Sequence, residues 1–195
     1  MLPEHVYDID ELKKLIGATE QGSLERALIM VPALCGLRIG EVLALQWSAV
    51  DLKANKFHVR TNLADVGNAN GGRDLRAPKS ISSRRTLDLP QELARELKVW
   101  KLACPPSEQD LVFATAEGKP LHRKFAMQIL DAAITAAELE KRLTLHKLRH
   151  TFASLLCPAT CRSRMVSRLL GHHDSNITLK VYAHFIDDKK TMFRT

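Results

Sequence analysis

The spacing of apolar residues near the start of the chain predicts two helices followed by a turn. Apolar side chains recur at helical intervals over residues 10–16, and either Asp8 or Asp10 would cap the start of this helix. Residues 24–34 are almost wholly apolar, so the second helix is expected to lie inside the core. Gly36 follows directly and is typical of a helix C-cap or a turn.

The middle of the chain changes to the alternating pattern of β-strands. Residues 56–61 and 85–89 alternate apolar and polar side chains, and residues 67–73 between them are rich in glycine and asparagine. We therefore predict a small antiparallel sheet of three strands in this part of the chain.

Helical spacing returns after the predicted sheet. Pro90 opens a helix that runs to about residue 103, residues 123–139 form an alanine-rich helix, and Thr144 caps another. Three further stretches are predicted as two helices and a short helix or tail: 162–170, 175–183 and 187–195. The pattern as a whole predicts an α+β fold that is mainly α with a small antiparallel β-sheet.

Length and composition agree with one folded domain of this kind. The chain has 195 residues, of which 45% are hydrophobic but only 5% aromatic, so the core is expected to be aliphatic and rich in helices. Lys and Arg number 29 against 22 Asp and Glu, which gives a formal net charge of +7. A basic surplus suits a polyanionic partner such as nucleic acid, but many basic domains never bind one, so charge alone leaves both interpretations open.

Cysteine usage and hydropathy argue against a metal protein and against a membrane protein. The four cysteines form no C-x-x-C pair, and the eight histidines are not spaced around them as zinc ligands, so we expect reduced structural thiols and no metal. The N-terminus lacks the basic and apolar regions of a signal peptide. The longest apolar stretch, residues 27–37, is too short to cross a bilayer, and we predict a cytoplasmic protein.

The sequence around residue 146 places two polar groups on one face of a predicted helix. His146 and Arg149 are three residues apart and share a face, while Leu145, Leu148 and Phe152 face the core. A guanidinium can bind two phosphate oxygens at once, which an ammonium cannot do. A solvated basic helix face is the alternative, because H-x-x-R is common by chance.

A second arginine stands where a helix is predicted to begin. Arg38 follows Gly36 and lies among apolar residues, so it needs a partner if it is buried. Glu41, three residues on, can supply one. The contact would either be an ordinary ion pair within one helix turn, or it would hold Arg38 in place to bind a phosphate.

A tyrosine near the end of the chain completes the candidate chemistry. Tyr182 follows the sequence Leu170-Gly171-His172, and Tyr7 is the only other tyrosine in the chain. A phenol is a weak nucleophile at its free pKa of about 10. The phenolate is also a good leaving group, which suits reversible covalent storage of a phosphodiester.

The order of these motifs resembles the tyrosine recombinase family, also called the phage integrase family. That family has an Arg in a G-x-R-x-x-E context, a Lys in a β-turn, H-x-x-R-H, L-G-H and then a Tyr. This chain has the corresponding residues in the same order: Gly36-Leu37-Arg38-Ile39-Gly40-Glu41, Lys79, His146-Lys147-Leu148-Arg149-His150, Leu170-Gly171-His172 and Tyr182-Ala183-His184. The resemblance covers roughly residues 5 to 186.

The resemblance implies a site-specific DNA recombinase or integrase that cleaves and rejoins double-stranded DNA. Arg38 and Arg149 would clamp the scissile phosphate, and His172 would donate a hydrogen bond to a non-bridging oxygen. Tyr182 would attack in line to form a 3′-phosphotyrosine, with His146 assisting its proton transfer and Lys79 acting as general acid to the leaving 5′-hydroxyl. No cofactor, metal or ATP is implied.

Lys79 is assigned from its context, since Pro78-Lys79-Ser80 precedes an alternating strand. Other basic residues near the predicted sheet are alternatives to it: Lys53, Lys56, Arg73 and Arg76. His150 and His184 are expected to support the site by packing or hydrogen bonding.

The resemblance also implies an arrangement of domains and subunits. Residues 1–195 would form a single catalytic domain, and the N-terminal core-binding and arm-binding domains of full-length members are expected to be absent from this chain. The tail over 187–195 would dock on a neighbouring protomer in a tetramer on DNA, and the free protein would be a monomer. Two other functions remain open at this point: a recombinase-like module that binds DNA without cutting it, and a type IB topoisomerase.

Overall fold

The computed structural model of the chain describes residues 6–65, 73–76 and 84–156. Over these ranges it contains six α-helices, five short β-strands and one turn of 3-10 helix at Trp47–Ala49. The helices are α1 (Ile9–Gly17), α2 (Leu24–Cys35), α3 (Ile39–Leu43), α4 (Gln91–Ala103), α5 (Arg123–Ala136) and α6 (Leu145–Leu156). The strands are β1 (Val50–Asp51), β2 (Lys56–Val59), β3 (Asn62–Asp65), β4 (Arg73–Arg76) and β5 (Arg85–Asp88).

Side-chain caps define where the first helices begin. The Asp8 carboxylate accepts a hydrogen bond from the Glu11 backbone N–H, and Glu11 accepts one from the Asp8 N–H in return, so the two form a capping box. Ser23 caps α2 by accepting from the backbone N–H of Arg26. The choice between Asp8 and Asp10 as the first cap is therefore settled for Asp8.

Helix α2 lies at the centre of the core. Its residues 27–35 are all buried, and it packs against the five other helices that the structure describes. This agrees with its sequence, because a helix that is apolar on every side must be covered on every side. Helices α1, α4, α5 and α6 each bury one apolar face, whereas the short α3 is almost wholly buried.

The strands form two antiparallel sheets. The larger sheet has the order β1-β2-β5, with Phe57 opposite Leu87 and Val59 opposite Arg85. The second is a ribbon of β3 and β4, with Leu63 opposite Leu75. The alternation that predicted β2 places Phe57 and Val59 in the core, while Lys56 and His58 are only partly covered.

The α+β fold class and the three-stranded sheet are confirmed. The β3–β4 ribbon was not predicted, because the sequence Asn62-Leu63-Ala64-Asp65 has a single large apolar residue and no clear alternation. The predicted elements over 162–170, 175–183 and 187–195, and most of the turn over 67–73, lie outside the described residues. No helix within the described ranges is both long and apolar enough to cross a membrane.

Candidate active site

A buried carboxylate joins two arginines from different parts of the chain. Glu41 on α3 is 4% exposed and accepts from the backbone N–H of Arg38 at 2.9 Å and from Arg38 Nη1 at 3.1 Å. The same carboxylate accepts two hydrogen bonds from Arg85, Nη1 to Oε1 at 2.9 Å and Nη2 to Oε2 at 2.8 Å. The spacing of three residues allows an ordinary ion pair between Arg38 and Glu41. Glu41 does more than this, because it also binds Arg85.

Helix α6 delivers a third arginine to this place. The Arg149 side chain donates from Nη1 to the carbonyl oxygen of Gly36, and the residue is 4% exposed. Gly36 ends α2 in the left-handed conformation, at φ 63° and ψ 26°, which turns its carbonyl away from the helix. A Cβ atom at Gly36 would lie 2.5 Å from the Phe152 ring of α6, so only glycine fits between the two helices.

The three arginines influence one another electrostatically. Burial, together with smaller contributions from the charges of Arg38 and Arg85, lowers the pKa of Arg149 to about 10, and the charge of Glu41 opposes this shift. Burial would raise the pKa of Glu41, but the hydrogen bonds and charges of Arg85 and Arg38 outweigh it and hold that pKa below its ordinary value. Three guanidiniums around one carboxylate leave a formal surplus of two positive charges, which favours binding of an anion.

Two histidines lie on the outer face of α6 beside this cluster. The Nε2 atoms of His146 and His150 are 3.1 Å apart, and the two rings meet edge to face with centroids separated by 4.7 Å. Partial burial and the charges of His150 and Arg149 lower the pKa of His146 below its ordinary value, with smaller contributions from Arg123 and Arg38. His146 is therefore biased toward the neutral form, which can accept a proton.

A solvated basic helix face does not describe Arg149, although the two histidines beside it do face solvent. Arg149 is buried, whereas both histidines are exposed. The hydrogen bond to His146 agrees with the supporting role expected of His150.

An open groove of about 450 Å³ runs along the end of strands β2 and β5. Its lining is strongly basic and consists of His58, Val59, Arg60, Arg84, Arg85 and Thr86. Arg60 and Arg84 are exposed, while the Arg85 guanidinium turns inward to Glu41 and is only 6% exposed. The groove therefore reaches the arginine cluster through Arg85.

Tyr7 is unsuited to act as a nucleophile. Its side chain is fully buried, and its hydroxyl donates a 2.5 Å hydrogen bond to the Lys141 carbonyl oxygen. Burial raises the pKa of Tyr7 to about 12, which disfavours the phenolate. Since the chain has two tyrosines, this leaves Tyr182 as the candidate.

Of the six predicted site residues, the structure places three and brings them together: Arg38, His146 and Arg149. Lys79, His172 and Tyr182 lie outside the described residues. Among the alternatives to Lys79, Lys56 is committed to an ion pair with Asp88.

Sequence reasoning missed Arg85, which it assigned only to an alternating strand. The available signal was the alternation over residues 85–89, which puts Arg85 on the same face of the strand as the apolar Leu87 and Leu89.

Comparison with known proteins agrees with this geometry. The family model described as "Phage integrase family" matches residues 6–189, so the chain belongs to the phage integrase family. The integrase of Staphylococcus phage L54a is 30% identical over 164 residues, which cover 80% of this chain and 46% of that protein. An integrase of Streptomyces ambofaciens is 32% identical over 195 residues, which cover 92% of this chain and 49% of that protein.

Solved structures share the fold at lower identity. The Tn1549 transposon integrase, in complex with circular intermediate DNA, has a TM-score of 0.72 at 19% identity, covering all of this chain and 68% of that one. XerA recombinase has a TM-score of 0.67 at 22% identity over 97% of this chain and 63% of that one. The fold is thus that of tyrosine recombinase catalytic domains. This chain spans about half the length of the curated relatives it matches.

Proposed function

We propose that this chain is the catalytic domain of a site-specific DNA recombinase or integrase, which cleaves and rejoins DNA through a 3′-phosphotyrosine without metal or ATP. The observation that carries the proposal is the cluster of Arg38, Arg85 and Arg149 around the single carboxylate of Glu41. Its surplus positive charge matches a phosphodiester, whose charge grows on the non-bridging oxygens during attack.

The chemistry follows from the charges and protonation states of the residues. Arg38, at 52% side-chain exposure, is open to an incoming phosphate, whereas Arg149 is buried close enough for the two charges to interact. The Tyr182 oxygen would attack phosphorus in line while the bond to the 5′-oxygen breaks. Neutral His146 would take the tyrosine proton, Lys79 would protonate the leaving 5′-oxygen, and His172 would donate to a non-bridging oxygen.

Double-stranded DNA is the substrate we propose. The Tn1549 integrase, the XerH recombinase and the lambda integrase were each solved bound to DNA, and they share this fold. In this chain the groove with Arg60 and Arg84 adds exposed positive charge on the route to the arginine cluster. Such a groove suits a sugar-phosphate backbone, because its side chains are long cations rather than a defined pattern of donors and acceptors.

We further propose that residues 1–195 act as a single catalytic domain in the cytoplasm. The tail over 187–195 would join protomers into a tetramer on DNA, while the free chain would be a monomer.

Deleting 187–195 should leave the free chain monomeric and abolish the slowest-migrating complex in a gel-shift experiment. Unchanged assembly on DNA after the deletion would count against the docking role of the tail.

The nucleophile can be tested with a matched pair of tyrosine variants. The chain is incubated with a pool of nicked duplexes of random sequence, denatured in detergent, and the protein-linked DNA is isolated and sequenced. The wild type should form adducts enriched in related sequences, and mass spectrometry should place the nucleotide on Tyr182. Tyr182→Phe should abolish the adduct. Tyr7→Phe should retain it, losing only about 1 kcal/mol of stability from one hydrogen bond.

Other outcomes would support the competing functions. Salt-dependent binding of the duplexes without any adduct would indicate a DNA-binding module that does not cut. Relaxation of supercoiled DNA without sequence preference would indicate a topoisomerase. An adduct that persists in Tyr182→Phe would refute the proposed nucleophile.

A further inference from the structure

We infer that Arg85 is a positioning residue, which neutralises Glu41 so that Arg38 remains available to a phosphate. The inference rests on the proposed function, because it gives Arg38 the role of binding the scissile phosphate. The observation behind it is the two-point contact between Arg85 and Glu41 at 2.8 and 2.9 Å, in addition to the contacts of Glu41 with Arg38.

The contact between Arg85 and Glu41 is of the strongest kind that two side chains make. The planar guanidinium meets both carboxylate oxygens, and the two side chains are 6% and 4% exposed. Little water reaches the pair, so the attraction is not screened as it would be at the surface. A lysine at the same place would offer one ammonium and would lose the parallel pair of hydrogen bonds.

Arg38 makes a weaker and more open contact with the same carboxylate. Its side chain donates one hydrogen bond at 3.1 Å and is 52% exposed. A phosphate can therefore bind the outer part of this guanidinium. The position of its backbone is fixed separately, since the Arg38 N–H also donates to Glu41 at 2.9 Å.

Removing Arg85 would change this balance. Glu41 would lose two hydrogen bonds and the stronger of its two ion pairs, which is costly for a buried carboxylate, and the half-exposed Arg38 beside it is free to move closer. Arg38 would then turn inward, pair with Glu41 through both terminal nitrogens, and present less charge to the phosphate. The formal surplus of the cluster would also fall from two positive charges to one.

Arg85 also connects two elements that are far apart in the sequence. It is the first residue of β5, where it is paired with Val59, whereas Glu41 lies on α3. The contact spans 44 residues of sequence. It fixes the edge of the sheet against the helix that carries Arg38.

The test is a double-mutant cycle on the full chain. The variants are Arg85→Met, Arg85→Lys, Glu41→Gln and the pair Glu41→Gln/Arg85→Met. Arg26→Met is the matched control, because Arg26 pairs with the buried Glu96 at the opposite end of α2. Two quantities are measured: the rate of DNA adduct formation, and the NMR signal of the Arg38 Nε–Hε group while inorganic phosphate is added.

We expect Arg85→Met to slow adduct formation about 100-fold, as for a reacting group displaced by about an ångström. Arg85→Lys should slow adduct formation less. Arg26→Met should change its rate by less than about threefold, because Arg26 lies away from the arginine cluster. In the Glu41→Gln background, Arg85→Met should have little further effect, because the two residues act as a unit. Additive effects, or an equal loss in Arg26→Met, would overturn the inference.

The NMR measurement decides the question even if the chain forms no DNA adduct. In Arg85→Met and Arg85→Lys, the Arg38 Nε–Hε group should become more rigid and its response to phosphate should weaken. A purely structural role for Arg85 would instead loosen Arg38, and that result would refute the inference. If Arg85→Met does not fold, Arg85→Lys alone gives the same decision.

Discussion

His146 and His150 lie one helical turn apart, close enough for one ring to donate to the other. A proton on His150 therefore disfavours a proton on His146, and this adds to the burial that lowers the pKa of His146. In the proposed reaction His146 must be neutral to accept the tyrosine proton. The pair thus extends the range of pH over which His146 can act as a base.

His150→Gln should raise the pKa of His146 toward its ordinary value. With the pKa raised, His146 becomes protonated at a higher pH, so adduct formation should begin to fail at a higher pH as the solution is acidified. NMR titration of the imidazole signals measures the first effect, and the pH profile of adduct formation measures the second. Lys147→Gln is the control, because Lys147 lies on the same helix and does not contribute to the shift. An unchanged His146 pKa in His150→Gln would contradict this explanation.

Gly36 is needed for two reasons: its backbone has a positive φ, and the Phe152 ring leaves no space for a side chain. Gly36→Ala places a side chain at φ 63° and against the Phe152 ring, so we expect a loss of about 1–3 kcal/mol in the free energy of unfolding. Gly17→Ala is the matched control, since a Cβ there meets nothing within 4 Å and should stabilise the chain by up to about 1 kcal/mol. Denaturant unfolding followed by circular dichroism measures both. Equal effects of the two substitutions would show that the fit at Gly36 is unimportant.

Helix α3 and strand β5 are joined by the contact between Glu41 and Arg85, so acid should weaken the link between these two elements. The pKa of Glu41 is lower in the folded chain than its ordinary value of 4.5, so the contact with Arg85 and Arg38 stabilises the fold above that pH. This stabilisation is lost as the pH falls through the folded pKa. The free energy of unfolding of Glu41→Gln should therefore depend less steeply on pH below about 4.5 than that of the wild type. Identical slopes would show that Glu41 does not titrate with folding.

Elements with a strong period could be predicted from the sequence, and those defined by distant partners could not. Helix α2 and strand β2 followed from their apolar spacing, and Asp8 and Gly36 marked helix ends through their own chemistry. The β3–β4 ribbon has too few apolar residues to show a pattern. Its pairing became visible only in three dimensions.

The same distinction holds within the candidate site. Arg38, His146 and Arg149 were found because each stands in a short motif. Arg85 was missed because its partner lies 44 residues away on another element. The local sequence shows which residues lie on a helix. It does not show that the buried carboxylate of Glu41 has a second partner on a distant strand.

The net charge of the chain, +7, suits the binding of DNA. We expect the DNA backbone to bind at the basic groove beside strands β2 and β5. Arg60→Gln should reduce the slope of log K for duplex binding against log salt by about one, the value expected for the loss of one phosphate contact. Arg95→Gln is the control, because Arg95 lines a separate cavity with Lys13 and Arg26. Binding isotherms at several salt concentrations measure both, and equal changes in slope would place the DNA elsewhere.

The hydrogen bond from Arg149 to Gly36 has a consequence for the order of events during synthesis. It joins residues 113 positions apart, and the contact of Tyr7 with Lys141 joins residues 134 apart. Contacts of such long sequence separation form late, because a large loop must close first. A chain still emerging from the ribosome already contains Arg38 and Glu41 but lacks the helix that completes the cluster. The proposed capacity to cut DNA would therefore arise only when the whole domain has folded, because an unfinished chain lacks part of the arginine cluster.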